Sequence, residues 1–129
     1  MQGSVTCFAM AAPSMKGATI LEVGSGSGVG SLIYASAFLN GGSVLVSTDF
    51  SAGMIKLLKK RYEESDCARE SYQVDTESDY TQPGSKVNLK GIIASKGDFK
   101  KFVYSCQASG THLPFENNSF TGYVASLVL

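Results

Sequence analysis

The sequence predicts an α/β fold in which a parallel sheet carries helices on both of its faces. Three observations support this prediction: short apolar runs of strand length, helical periodicity between them, and a glycine-rich turn directly after the first run. Alternation of strand and helix patterns is typical of βαβ units, whose strands run parallel. A length of 129 residues corresponds to a single domain at most.

Each predicted strand is a short apolar run, partly β-branched, and bounded by turn-forming residues. The first run, ATILEV, ends at a glycine, and the last, FTGYVASLVL, closes the chain. Four runs of this kind occur, at 18–23, 43–48, 101–107 and 120–129.

Two amphipathic helices are predicted between the strands. After Gly28 the apolar positions change to helical spacing, and Ser27 is a suitable N-cap for this first helix. Ser51 is a suitable N-cap for the second. The apolar stripe expected on the second helix consists of Met54, Ile55, Leu58 and Tyr62.

Residues 65–100 are polar, acidic and rich in turn-forming residues. We expect an exposed insertion here, with a short helix near 87–96, because long irregular segments are uncommon inside a compact domain. The acidic run Asp75–Asp79 lacks the spacing of a calcium loop, which favours a solvated face over a metal site.

Composition excludes several classes of function. Eleven basic and eleven acidic residues give no net charge, so the electrostatic signature of a nucleic-acid-binding protein is missing. No apolar run approaches the roughly 20 residues of a membrane span. The three cysteines form no CxxC pair, which favours reduced thiols and a cytoplasmic location.

The stretch ILEVGSGSGVG at 20–30 predicts a ligand-binding turn. Glycine adopts positive φ and lets backbone approach a ligand closely, and the N–H groups of the following helix face the same crevice. The dinucleotide fingerprint G-x-G-x-x-G fails in both registers, since Val29 and Ser31 stand where its third glycine belongs. The pattern present is E-x-G-x-G-x-G, beginning at Glu22.

Three segments in order resemble class I, Rossmann-like S-adenosylmethionine-dependent methyltransferases. ILEVGSGSG looks like the first motif of that family, and VLVSTDFSAGM at 44–54 is similar to its second strand with the D-x-S-x-x-M that follows. QASGTHLPFENNSFTGYVASLVL resembles its Q-A-D/N-x-x-x-L-P-F-x-x-x-S-F-D segment. The likeness is closest to the branch that methylates small molecules. It implies S-adenosylmethionine as cofactor and a small-molecule methyl acceptor.

The resemblance also implies a set of cofactor-binding residues at the carboxyl ends of the strands. They are Glu22, Gly24, Ser25, Gly26, Ser27, Gly28, Asp49, Phe50, Met54, Ser109, Gly110 and Ser126. The residues imply no metal ligand, and they leave the catalytic residue unassigned.

Several of these residues have expected roles and plain alternatives. Glu22 would face the ammonium end of the cofactor, or else be a carboxylate at a surface edge. Asp49 would take both ribose hydroxyls with its two acceptor oxygens, or else cap the following helix. Phe50 and Met54 would flank the adenine, with core packing as the alternative for Met54. Ser109 stands where the family has Asp or Asn facing the adenine.

The family has further strands after the four predicted here, and their loops contribute to the acceptor site. We therefore expect residues 1–129 to form a partial methyltransferase domain, the cofactor-binding half, truncated after the fourth strand. The edge of that strand would then be open to an oligomer or a partner. Two alternatives remain: a non-catalytic S-adenosylmethionine-binding module or degenerate fragment, and a fragment of an NAD-dependent oxidoreductase.

Overall fold

A computed structural model describes residues 17–25, 41–65 and 72–125 of the chain. These residues form a five-stranded sheet in which every pairing is parallel. The strands are β1 (Thr19–Val23), β2 (Ser43–Asp49), β3 (Tyr72–Tyr80), β4 (Lys101–Ala108) and β5 (Gly122–Ala125). The two described helices are α1 (Ala52–Glu63) and α2 (Leu89–Ser95).

The spatial order of the strands is β3-β4-β2-β1-β5. The chain moves outward from β1 through β2 to β3 and β4 on one side, and then crosses back to place β5 on the other side of β1. The direction of winding therefore reverses at β1, and this is the position where open α/β sheets hold their ligands. The parallel α/β fold predicted from the sequence is confirmed and is consistent with a Rossmann-like arrangement.

One face of the sheet carries the larger apolar cluster. Alternate residues of the central strands, among them Leu21, Val46 and Phe102, pack there with Leu89, the first residue of α2, and with Val87, which precedes the helix. Side chains alternate across a strand, so their neighbours in sequence point to the opposite face. We call the face that carries this apolar cluster the α2 face.

Helix α1 lies on the opposite face, which we call the α1 face. Its buried residues are Ile55, Leu58 and Tyr62. The ring of Tyr62 lies 5.5 Å from that of Tyr72, whose register partner Val103 belongs to the same face. The two described helices thus cover opposite faces. The first predicted helix, which follows Gly28, lies outside the described residues.

The prediction of an exposed insertion at 65–100 is wrong for much of that segment. Residues 72–80 form the edge strand β3, half-buried and paired with β4, and the short helix expected near 87–96 is α2. A register shift between Asp75 and Asp79 interrupts β3. The Asp75 carboxylate accepts hydrogen bonds from the backbone N–H groups of Glu77 and Ser78, both at 3.0 Å, and so shapes that irregularity.

Candidate functional site

The carboxyl ends of three neighbouring strands bring most of the predicted residues together. In the register of the sheet, Val23 at the end of β1 pairs with Thr48, and Asp49 at the end of β2 pairs with Gln107 of β4. The segments that leave these strands contain the glycine turn, the Asp49 turn and the Ser109 loop. We call this edge of the sheet the carboxyl edge.

Gly24 turns the chain at the end of β1. Its φ is +73°, a conformation that residues with a side chain rarely adopt. The backbone N–H groups of Gly24 and Ser25 both donate to the carbonyl oxygen of Thr48, at 2.9 and 3.0 Å. No atom lies within 4 Å of where a Cβ on Gly24 would stand, so the conformation is what calls for glycine here.

Ser25 follows with its side chain turned inward. The residue is only 6% exposed, and its hydroxyl has no hydrogen-bond partner among the described residues. A buried hydroxyl without a partner is costly, and such groups in native proteins usually serve a ligand or a water molecule. The hydroxyl lies directly after the strand at which the winding reverses.

Glu22 is buried inside the sheet, with 1% of its surface exposed, so it is not a carboxylate at a surface edge. The Ser47 hydroxyl donates to its Oε1 at 2.9 Å, and the Thr48 hydroxyl donates to its backbone carbonyl at 3.2 Å. An acidic residue in an apolar strand was expected to need a hydrogen-bond partner, and Ser47 is such a partner. Glu22 lies on the α1 face, two residues before Gly24 in the sequence.

Asp49 and Ser51 organise the turn that joins β2 to α1. The Asp49 Oδ1 accepts the Ser51 backbone N–H at 2.9 Å, and the Ser51 hydroxyl accepts the Met54 N–H at 3.3 Å. Ser51 is therefore the N-cap of α1, as predicted. Asp49 fixes the residue before the helix and remains half-buried at the carboxyl edge.

Phe50 and Met54 present apolar surface beside this turn. Phe50 is 67% exposed and Met54 is 40% exposed. The prediction that Met54 belongs to the buried stripe of α1 is wrong, because Ile55, Leu58 and Tyr62 alone fill that role among the described residues. Met54 lies one position earlier and faces outward.

Ser109 and Gly110 leave β4 next to the end of β1. Ser109 is buried, and its hydroxyl lies 2.8 Å from that of Thr111 and accepts the Thr111 N–H at 3.2 Å. A Cβ on Gly110 would stand 3.0 Å from the Cγ1 of Val23, so this loop packs closely on β1. The Ser109 hydroxyl is thus held in place by its own loop.

Gln107 is a residue that sequence reasoning did not single out. Its side-chain amide donates to the backbone carbonyl of Phe50 at 3.1 Å, and so links the end of β4 to the turn after β2. The signal available in the sequence was its position immediately before the Ser109 loop, at the end of an apolar strand.

Four of the predicted residues lie outside the described part of the chain. They are Gly26, Ser27, Gly28 and Ser126.

Among the described residues, three groups have shifted pKa values, and two of them, Asp79 and Cys106, lie near the carboxyl ends of β3 and β4. Burial raises the pKa of the Cys106 thiol to about 12, although its hydrogen bond with Tyr104 acts in the opposite direction. Burial likewise raises the pKa of the Tyr104 hydroxyl. The side-chain and backbone hydrogen bonds from Thr81 lower the pKa of Asp79. Asp79 is the register partner of Gln107. Cys106 lies one residue before Gln107 on β4 and is buried in the cluster on the α2 face.

A pocket of about 250 Å³ lies near the opposite, amino edge of the sheet, lined by Thr19, Asn88, Lys90 and Glu116 among others. This pocket lies away from the turns that carry Gly24 and Asp49, whereas ligands of open α/β sheets bind at the carboxyl ends of the strands.

Over residues 17–25, 41–65 and 72–125, no group of three acidic, histidine or cysteine side chains is arranged to hold a metal ion. The same residues contain no helix long and apolar enough to cross a membrane. In comparisons with known proteins, no family model, no curated protein and no solved structure matches the chain.

Proposed function

We propose that the chain binds S-adenosylmethionine at the carboxyl edge and is the cofactor-binding part of a methyltransferase that acts on a small molecule. The observation that carries this proposal is the placement of Asp49 beside the Gly24–Ser25 turn, next to the strand at which the winding reverses. A carboxylate in that position has two oxygens with which to accept from the paired hydroxyls of a ribose.

The Gly24–Ser25 turn fits the amino-acid portion of the cofactor. Gly24 has no side chain that would stand between the turn and a ligand, and the Ser25 hydroxyl is buried without a partner in the part of the chain that the structure describes. A polar atom of the ligand, or a water molecule that it holds, would satisfy that hydroxyl. The Glu22 carboxyl group lies two residues before Gly24, and its oxygen acceptors suit an ammonium group.

The adenine fits between the other two segments of the carboxyl edge. Phe50 and Met54 offer apolar surface that an aromatic base could cover. Ser109 and Gly110, on the adjacent loop, would contact the edge of the base through a hydroxyl and a backbone N–H. Because the Ser109 hydroxyl already bonds to Thr111, we expect it to contribute less affinity than a carboxylate would.

The cofactor supplies a methyl group bound to a positively charged sulfur, so the chemical task of a protein is mainly to hold the acceptor in line with it. The described residues would hold the nucleoside and the amino-acid portion.

Calorimetric titration with S-adenosylhomocysteine and, separately, with NAD tests this proposal. The informative variant is Asp49→Asn, whose amide oxygen can still accept the Ser51 N–H while one ribose acceptor becomes a donor. We expect it to weaken binding of S-adenosylhomocysteine by about tenfold or more, as expected for a hydrogen bond to a charged group. Asp98→Asn, at an exposed aspartate in the loop before β4, is the matched control.

A folded wild-type chain that fails to bind S-adenosylhomocysteine would refute the proposal. Binding of NAD in its place would favour the oxidoreductase alternative. Equal affinity of the wild type and Asp49→Asn would remove Asp49 from the site.

A further inference from the structure

The turn between β2 and α1 is tied to a strand that is distant in sequence. Gln107 and Asp49 are register partners at the ends of β4 and β2, so their side chains project from the same face. From this position the Gln107 Nε2 donates to the Phe50 carbonyl oxygen at 3.1 Å. A carbonyl oxygen only accepts, so the contact requires the amide nitrogen of the side chain.

The Phe50 carbonyl lies between strand β2 and helix α1 and belongs to neither. Strand β2 ends at Asp49 and helix α1 begins at Ala52, so neither the sheet ladder nor the helix supplies a donor to it. Two further side-chain hydrogen bonds of this turn, to the Ser51 and Met54 N–H groups, come from residues within it. Gln107 adds a contact from a neighbouring strand.

Packing does little to hold this turn. The Phe50 side chain is 67% exposed, and Ser51 and Ala52 are exposed as well. A turn that is not anchored by burial depends on its hydrogen bonds for order. The residues it carries, Asp49 and Phe50, are those that the proposed function assigns to the ribose and the base.

We infer that Gln107 is a positioning residue for nucleoside binding: it holds the Asp49–Phe50 turn in the conformation that receives the ribose and the base. This inference rests on the proposed function of the carboxyl edge. Gln107 acts through the turn, and no contact of its own with the ligand is needed. Its hydrogen bond lies at an exposed edge, so its loss should alter affinity much more than global stability.

The test compares the wild type with Gln107→Met, which keeps an unbranched side chain of similar length and removes the donor. Gln107→Leu is a second variant of the same kind. Gln73→Leu is the matched control, since Gln73 pairs with Tyr104 on the α2 face, away from the turn. Affinities for S-adenosylhomocysteine and for adenosine are measured by calorimetry, and amide hydrogen exchange is measured on each ligand-free chain.

We expect Gln107→Met to bind both ligands about three- to tenfold more weakly, the factor that one net hydrogen bond provides. Its melting temperature should remain close to that of the wild type. Exchange at the Ser51 and Met54 amides should become severalfold faster, and the control should change neither quantity. In the Asp49→Asn background the substitution should have little further effect, because both residues act through one turn.

Unchanged affinity in Gln107→Met, with a wild type that binds, would overturn the inference and leave the proposed function intact. Fully additive losses in the double variant would also overturn it. A folded wild type that binds neither ligand would instead refute the proposed function. Unchanged exchange at the Ser51 and Met54 amides would show that Gln107 does not hold the turn at all.

Discussion

The hydroxyl of Ser47 donates a 2.9 Å hydrogen bond to the carboxylate of Glu22, and both side chains are buried in the middle of the sheet. Ser105 is the register partner of Ser47 on the next strand, so a row of three polar residues crosses the α1 face. The neighbouring level of the same face is apolar, with Ile20, Leu45 and Val103. The polar row is therefore a local feature just below the carboxyl edge.

Replacing Ser47 by alanine should destabilise the fold. The change removes a donor from a buried carboxylate, and leaving such an acceptor short of a partner costs about 1–3 kcal/mol. Urea denaturation followed by circular dichroism measures the free energy of unfolding. A loss below about 0.5 kcal/mol, within the range of ordinary surface substitutions, would show that Glu22 does not depend on Ser47.

Ser105→Ala should behave in the opposite way. Ser105 is as fully buried as Ser47, but within residues 17–25, 41–65 and 72–125 its hydroxyl has no hydrogen-bond partner, so alanine removes an unsatisfied group. We expect the free energy of unfolding to stay the same or to rise. The same denaturation experiment checks this, with Ser47→Ala as the comparison. Destabilisation comparable to that of Ser47→Ala would indicate that the Ser105 hydroxyl is bonded in solution, for instance to water.

Gly24→Ala should destabilise the chain by about 1–2 kcal/mol, the cost of placing a side chain in the left-handed region. No steric contact adds to that cost, since the space around the Cβ position is open. Gly53→Ala is the control: this glycine lies in α1, where a Cβ would make an ordinary contact at 3.7 Å. Alanine there should stabilise by about 0.5–1 kcal/mol. Thermal unfolding of both variants measures the two changes in stability. Equal changes would contradict the conclusion that the positive φ of Gly24 is what requires glycine there.

Alkaline pH should weaken the fold through Cys106. The folded pKa of about 12 lies above the ordinary value of 9.0, so the unfolded chain releases this proton first. The stabilising contribution is complete below about pH 9 and is lost as the pH rises toward 12. We expect a loss of about 1 kcal/mol per pH unit in that window.

Urea denaturation at pH 8, 9 and 10 measures this dependence. Cys106→Ala lowers stability at every pH by leaving a cavity, but it should flatten the slope between pH 9 and 10. Parallel slopes for the wild type and the variant would assign the pH dependence to other groups, such as Tyr104, whose ordinary pKa of 10.0 is also raised by burial.

Sequence patterns predicted the central strands and α1 well, because burial dominates their composition. The runs at 18–23, 43–48 and 101–107 match β1, β2 and β4 within one residue at either end. The Ser51 cap was also identifiable, since the side chain and the N–H that it bonds lie within one turn. In each case the structure is determined by contacts between residues close in sequence, or by apolar residues that recur with the period of the strand or helix.

Strand β3 could not be predicted in this way. YQVDTESDY is polar and has no apolar alternation, because the strand lies at an edge of the sheet and is only half-buried. Its structure comes from pairing with β4, a segment more than twenty residues away, and from the carboxylate of Asp75. Gln107 was missed for a related reason, since its partner is distant in sequence.

The broken register of β3 has a consequence for how copies of the chain meet. An exposed strand edge invites a second strand, and proteins avoid this association with bulges and charged residues. Between Asp75 and Asp79 the backbone N–H groups of Glu77 and Ser78 are already taken by a carboxylate, so an incoming chain finds no continuous ladder there. The acidic run thereby protects this flank of the sheet from aggregation.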